Sequence, residues 1–342
     1  MAVGGHAGAV VQGQVRAMDF RNGLDQGQAQ PDAGLGAAFF KAHEALQHPA
    51  ALIGGALLLG GALAVKWTGL LFTGVAGLAI LAAFARDYRW PELLGRILIV
   101  FAGIALVYTA AFAWHFQRLQ QSGPGDAFMQ PEFKATLQGT AEAANPQIEP
   151  LGFWGKFAEL NTRMYTANKG ITDEHAYGSK WYEWPVMGRS IYYWNERVDP
   201  DDPADSSEHR IYLLGNPAIW WGGLAAMLVL SWLLLLRTLA GGAGPYHTPL
   251  LLICAGYWAN LLAYLPIDRV SFLYHYFPSL LFLLLGLAFV LRRLWDNEYY
   301  RWAPPLFFAF VVVLFLYFSP LTYGVALENP QFDARMWLNS WR

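Results

Sequence analysis

Lys180, Glu183 and Arg189 are threaded through residues 177–194, YGSKWYEWPVMGRSIYYW, a run with seven aromatics in eighteen positions. Planar rings interleaved with fixed charges can stack on a sugar or pin a peptide, so this run reads as a shaped recognition surface. Two further segments carry the same chemistry: LGNPAIWW at residues 214–221 and PIDRVSFLYHYFP at residues 266–278, the latter with Arg269, Tyr274 and His275. Asp173-Glu174-His175 stands just before the aromatic run; paired carboxylates can act as a general base, but an ordinary exposed loop acid pair is the simpler reading.

Those residues need elements to position them, and the composition says which. The chain has 342 residues, 55% hydrophobic, 16% aromatic and 14% charged, with a mean hydropathy of +0.27. Its apolar residues come in blocks, the mark of an integral membrane protein. A net charge of −2 offers no basic stripe for nucleic acid. The single cysteine, Cys254, lies in an apolar segment and has no partner for an internal disulfide. The eight histidines are scattered without paired ligand spacing, so no metal site is expected, and there is no glycine-rich phosphate loop.

Residues 49–85 are apolar except around Lys66. As one helix they would reach about 55 Å, well beyond a hydrocarbon layer of roughly 30 Å. The run must therefore fold back, most simply at Lys66-Trp67-Thr68-Gly69. Further spans are expected near residues 94–115, 217–237, 247–265, 272–291 and 303–319, for about seven in all. The fold class is all-α integral membrane, a helical bundle with a long external loop.

Arg86, Arg89, Arg96, Arg237, Arg292, Arg293 and Arg301 fall on one side of these spans, with Lys66 and Arg269 on the other. The arginine-rich side is expected to be cytoplasmic. That arrangement divides the chain into a cytoplasmic leader (1–46), three spans (47–115), an external loop (116–216), four spans (217–319) and an external tail (320–342). Residues 1–46 are rich in Gly, Ala and Gln and read as a leader that is not native coding sequence. Within the loop, Phe153, Trp154, Phe157, Leu160, Met164 and Tyr165 recur at helical spacing, the pattern of an amphipathic helix.

SKWYEWP, GNPAIWW, DRVSFLYHYFPS and the early GGALAVKWTGL resemble, in order, segments of the protein O-mannosyltransferases, and FSPLTYG with MWLNSWR is similar to that family's ending. The resemblance runs from about residue 40 to the end. It implies a C-type glycosyltransferase fold and an integral, multi-pass enzyme, here expected in a bacterial plasma membrane with the long loop outside. It also implies a reaction: mannose passes from a polyprenyl-phosphate carrier to Ser or Thr hydroxyls of an acceptor protein. The lipid-linked donor is a substrate, and no cofactor is expected. A carboxylate would take the hydroxyl proton while cationic or hydrogen-bonding groups hold the departing phosphate.

For the phosphate, the candidates are Arg269, His275 and Lys66. Each has a plainer role open to it: Arg269 as an interfacial anchor beside Asp268, His275 as a packing histidine, Lys66 as the outward-reaching end of a short span. For the acceptor or sugar surface they are Trp181, Glu183, Trp184, Arg189, Asn216 and Tyr274. Glu183 can equally pair Lys180 or Arg189 to hold the loop, and the tryptophans, with Trp220 and Trp221, can equally form an interfacial belt. The family's acidic pair, which follows its first span, has no counterpart here, so the catalytic residues are not identified. An N-terminal half or a partner subunit is expected to complete the site. A non-catalytic membrane module that binds lipid phosphate or peptide is the alternative reading. A transporter is a third, but neither inverted repeats nor paired broken helices are visible.

Overall fold

The computed structural model describes residues 48–85, 90–171, 173–202, 206–241 and 246–342, so the leader expected at residues 1–46 lies outside the described residues. The apolar run from residue 49 breaks where its length requires. Helix α1 (Pro49–Val65) ends at Lys66, whose backbone is extended, and α2 (Gly69–Ala85) starts after a three-residue turn. Helix α3 (Trp90–Arg118) follows and packs along α1. The α1–α3 contact relies on small residues: a Cβ on Gly103 would lie 2.6 Å from Ala56 Cβ, and one on Gly60 2.8 Å from Val107 Cβ. Such close approach is how helices associate where lipid removes the hydrophobic drive between them.

Four more long helices form the second bundle: α6 (Pro217–Leu239), α7 (His247–Leu262), α8 (Phe277–Asp296) and α9 (Ala303–Tyr323). Between the bundles lie the short α4 (Pro131–Lys134) and α5 (Phe153–Lys169), the segment whose spacing is amphipathic. Helix α5 does not lie free. Phe153 and Phe157 meet Phe116 and Phe112 of α3 edge-on at 5.9 and 5.0 Å, and Asn161 Oδ1 accepts the Tyr108 hydroxyl at 2.5 Å. Tyr108 in turn accepts from Trp67 Nε1 at 2.9 Å, so α5 is tied both to α3 and to the α1–α2 turn.

By length and composition, four helical stretches can cross a membrane among the described residues: Pro91–Arg118, Pro217–Leu239, Leu273–Asp296 and Ala303–Tyr323. Helices α1 and α2, at 17 residues, and α7, at 16, are shorter. At a rise of 1.5 Å per residue they reach roughly 24–26 Å, near the lower limit for a span.

One sequence expectation needs correction. The fold is mostly but not all α: β1 (Ile191–Arg197) pairs antiparallel with β2 (Glu208–Leu213), in a register from Ile191 opposite Leu213 to Arg197 opposite Glu208, interrupted between Tyr192 and Trp194. β-branched and aromatic residues on either side of an Asp-Pro-rich connector supply the strand propensity. Residues 320–342 fold back on the rest of the chain. Helix α9 continues to Tyr323 and stops at Gly324, which takes the left-handed backbone at φ 63°. Helix α10 (Asn329–Arg335) then folds back, and Trp341 is fully buried. The returning chain joins the hairpin, Glu208 and Leu327 exchanging both backbone hydrogen bonds at 3.0 Å.

Candidate functional site

The candidate site forms where the α1–α2 turn meets the segment between α7 and α8. His275 is 4% exposed, near the start of α8. Rings surround it: Tyr274 stacks at 4.4 Å, Trp184 at 5.9 Å with planes 17° apart, and Tyr264 meets it edge-on at 5.4 Å. Arg269 Nη2 lies 3.4 Å from His275 Nε2. The other ring nitrogen, Nδ1, faces the Phe272 backbone, 3.0 Å from its N–H and 3.1 Å from its carbonyl oxygen. Arg269 lies against the imidazole, and its Nη1 donates to Asn168 Oδ1 of α5 at 2.8 Å.

Lys66 completes the cluster. Its Nζ sits over the Tyr274 ring, 5.2 Å from the centroid. Carbon-rich surroundings, and secondly the Arg269 charge, lower its pKa below the usual lysine value. The cations are thus close enough to repel, and among the described residues neither is ion-paired with a carboxylate. Adjacent like charges left without a counter-ion favour an anion that bridges them. The structure therefore brings together Lys66, Arg269, Tyr274 and His275, with Asn168 as a partner that the sequence did not single out. Asn168 sits four positions after Met164 at the end of an amphipathic helix, and no sequence pattern distinguishes it from a solvated residue.

The aromatic run is the wall behind this cluster. Trp184 is 1% exposed; its Nε1 donates to Ser179 Oγ at 3.0 Å and its carbonyl accepts Trp220 Nε1 at 2.7 Å. Glu183 Oε2 accepts the Lys180 backbone N–H at 2.6 Å, which closes the turn. Arg189 Nη1 donates to the Ala176 carbonyl at 2.5 Å. Trp181 is half-buried and edge-on to Tyr182 at 5.7 Å. Asn216 caps α6: its Oδ1 accepts from Ala218 and Ile219 backbone N–H at 3.1 and 3.4 Å, while Nδ2 donates to the Val311 carbonyl at 2.9 Å. These contacts bind the loop together. Among the sequence candidates for an acceptor or sugar surface, Tyr274 is the one placed directly in the cationic cluster.

The Asp173-Glu174-His175 segment runs alongside the cluster. Val270 N–H donates to Ile171 O at 3.2 Å and Ser179 N–H to Ser271 O at 2.8 Å, so Ile171 and Ser179 border Val270 and Ser271. Both acids are exposed. Among the described residues no group of three His, Cys, Asp or Glu side chains could hold a metal ion.

The wall is clamped from the C-terminal side. Trp341 Nε1 donates to the Met187 carbonyl at 2.6 Å, Ser190 Oγ donates to the Trp341 carbonyl at 2.5 Å, and Ser340 Oγ donates to the Gly188 carbonyl. Met187, at φ 54°, holds a left-handed backbone unusual for a non-glycine residue. No local sequence pattern signals these contacts, which join residues about 150 positions apart.

Comparison with known proteins places this arrangement. Residues 153–341 match the model of the C-terminal four-span region of protein O-mannosyltransferases. Polyprenol-phosphate-mannose–protein mannosyltransferase of Corynebacterium glutamicum is 25% identical over 306 residues, 84% of this chain and 56% of its own length. Human protein O-mannosyl-transferase 1 is 32% identical over 219 residues, 56% of this chain and 27% of its own. Protein O-mannosyltransferase 1 of Drosophila pseudoobscura is 31% identical over 226 residues, 59% of this chain and 24% of its own. The chain thus spans between about a quarter and about half of these relatives. Its fold matches a chain of the Saccharomyces cerevisiae protein O-mannosyltransferase Pmt1-Pmt2 complex bound to the sugar donor, with a TM-score of 0.70 over 85% of this chain and 69% of the other, at 15% identity.

Proposed function

Because the chain belongs to the protein O-mannosyltransferase family, a family of integral multi-pass membrane proteins, we propose that it takes part in transferring mannose from a polyprenyl-phosphate carrier to Ser or Thr hydroxyls of an acceptor protein. The observation that carries this reading is the Lys66–Arg269 pair of cations without carboxylate partners, with Arg269 held by Asn168 and both beside His275 and Tyr274. A phosphate that gains charge as the sugar departs is stabilised most by cations already fixed in place. Arg269 offers its planar fork and Lys66 a mobile point charge, a pairing suited to a phosphodiester on a lipid that moves.

In this reading the chain crosses the membrane seven times, with α1, α2 and α7 as short spans and the 116–216 region on the external face of a bacterial plasma membrane. The cationic cluster then sits at the level where a lipid headgroup meets water. The acceptor hydroxyl would lose its proton to a carboxylate, whether from a further segment or from a partner subunit, and the lipid-linked donor is the only small molecule the reaction calls for. In the relative of known structure the subunits form a Pmt1-Pmt2 complex, which supports a partner as the source.

The test is to give membranes carrying the chain labelled polyprenyl-phosphate mannose and a Ser/Thr-containing acceptor peptide. Label transfer that disappears with Arg269→Gln is the expected result. Donor binding with no turnover, unchanged by Asp173→Asn and Glu174→Gln, would replace this reading with that of a non-catalytic membrane module.

A further inference from the structure

Tyr264 occupies the turn that follows α7. Its backbone is tied on both sides: its N–H donates to the Leu261 carbonyl at 3.3 Å, and its carbonyl accepts the Ile267 N–H at 3.2 Å. The side chain is packed like a core residue, with 5% of its surface exposed. Trp184 meets the ring edge-on at 4.8 Å and His275 does so at 5.4 Å, so two planar groups fix where the ring lies. The hydroxyl is the one polar group this packing has to account for.

That hydroxyl lies within electrostatic reach of the Arg269 guanidinium and the Tyr274 phenol, the same two groups that neighbour Lys66. Among the described residues, none hydrogen-bonds to it. A buried phenol ordinarily finds a partner, as Tyr257 and Tyr276 do by meeting hydroxyl to hydroxyl at 2.9 Å. Burying a hydroxyl without a partner costs stability, and phenylalanine would fill the space between Trp184 and His275 without that cost. Packing therefore explains the ring and leaves the oxygen unexplained. Its surroundings supply the reason: an O–H donates, and two neighbouring cations concentrate negative charge where it can do so.

We propose that the Tyr264 hydroxyl donates a hydrogen bond to the phosphate that Lys66 and Arg269 attract, as an uncharged third member of that site. The proposal rests on the donor reading above and adds a specificity element to it. Cations alone hold many anions, whereas a donor on a fixed ring selects one with an oxygen in line with its O–H. An uncharged donor has a second consequence. A phosphodiester carries one negative charge, and the phosphate monoester left after transfer carries about 1.5 to 2 at neutral pH. A third cation would therefore tighten the product more than the substrate, while a hydroxyl adds affinity for both with less of that bias.

Tyr264→Phe removes the oxygen and keeps the ring. Binding of polyprenyl phosphate and of uncharged polyprenol is measured on the full chain in nanodiscs, for the parent, Tyr264→Phe and Arg269→Gln, with Tm taken on the same preparations. Tyr264→Phe should bind polyprenyl phosphate about tenfold more weakly, the scale of a hydrogen bond to a charged group, and polyprenol as the parent does. Its Tm without ligand should equal or exceed the parent's, because an unpartnered hydroxyl has gone, and a fixed concentration of polyprenyl phosphate should raise it less. A lowered Tm without ligand would make the hydroxyl structural, and equal weakening of phosphate and polyprenol would place the effect on the lipid tail; either overturns the proposal. Weakening in Arg269→Gln alone rejects Tyr264 and keeps the donor reading, whereas no weakening in either variant rejects both.

Discussion

The α1–α3 bundle and the α6–α9 bundle are both apolar, yet they are held by different contacts. In the first, glycine and alanine let backbones touch, as at Gly103 against Ala56, and the buried cluster is aliphatic: Leu52, Ala56, Ile80, Leu93, Val100 and Ile104. In the second, aromatic and polar groups interlock in the interior. Tyr257 and Tyr276 hydroxyls meet at 2.9 Å, Asn260 Nδ2 donates to the Gly256 carbonyl at 2.7 Å, and the Trp184, Trp220 and Trp341 indoles each donate to a specific oxygen. Small-residue packing sets a separation between helices, whereas directed hydrogen bonds fix the orientation of individual side chains. The cationic cluster draws Arg269 and His275 from the oriented bundle and only Lys66 from the other.

The largest effect is expected from breaking the oriented side. Trp341→Ala removes a buried indole and leaves the Met187 carbonyl unpartnered, and should cost about 3–5 kcal/mol. Thermal unfolding of the purified chain would show it as a lowered Tm, accompanied by weaker donor binding because the wall behind His275 loosens. Next comes Gly103→Val, whose Cβ would meet Ala56 at 2.6 Å and whose overpacking should cost about 1–3 kcal/mol. This variant should lower Tm while weakening donor binding less than Trp341→Ala does; the reverse order would erase the distinction between the bundles.

Much of the frame was legible in the sequence. Thirty-odd apolar residues exceed one membrane crossing, so a turn at Lys66 followed from length alone. Arg269 and His275 stood out because ionisable groups at a span entrance need a reason to be there. The hairpin was less legible, since IYYWNER and EHRIYL carry strand propensity but were masked by their aromatic and charged character, which also suits a surface loop. The clamp by Ser340 and Trp341 was not legible at all. Its hydrogen bonds join segments remote in sequence, and no local periodicity encodes them.

The smallest expected effect concerns pH. The Lys66 pKa is lowered by its surroundings and by Arg269, so its charge is lost at lower pH than that of an ordinary lysine, and a bound phosphate would pull it back up. Donor binding should therefore weaken as pH rises toward the lowered pKa, below the range where free lysine titrates, and Lys66→Arg should move that fall to higher pH. A titration of binding against pH for both proteins checks the sign: identical profiles would remove Lys66 from the site.

The most direct test of the central claim is equilibrium binding of polyprenyl phosphate, set against the uncharged polyprenol, to the full chain and to Arg269→Gln. The account predicts that the phosphate binds more tightly than the alcohol and that Arg269→Gln loses about tenfold or more in phosphate affinity, the scale of a charge-assisted hydrogen bond, with Tm and polyprenol binding unchanged. Equal affinity for phosphate and alcohol, or an Arg269→Gln chain that binds phosphate as well as the parent, would contradict it.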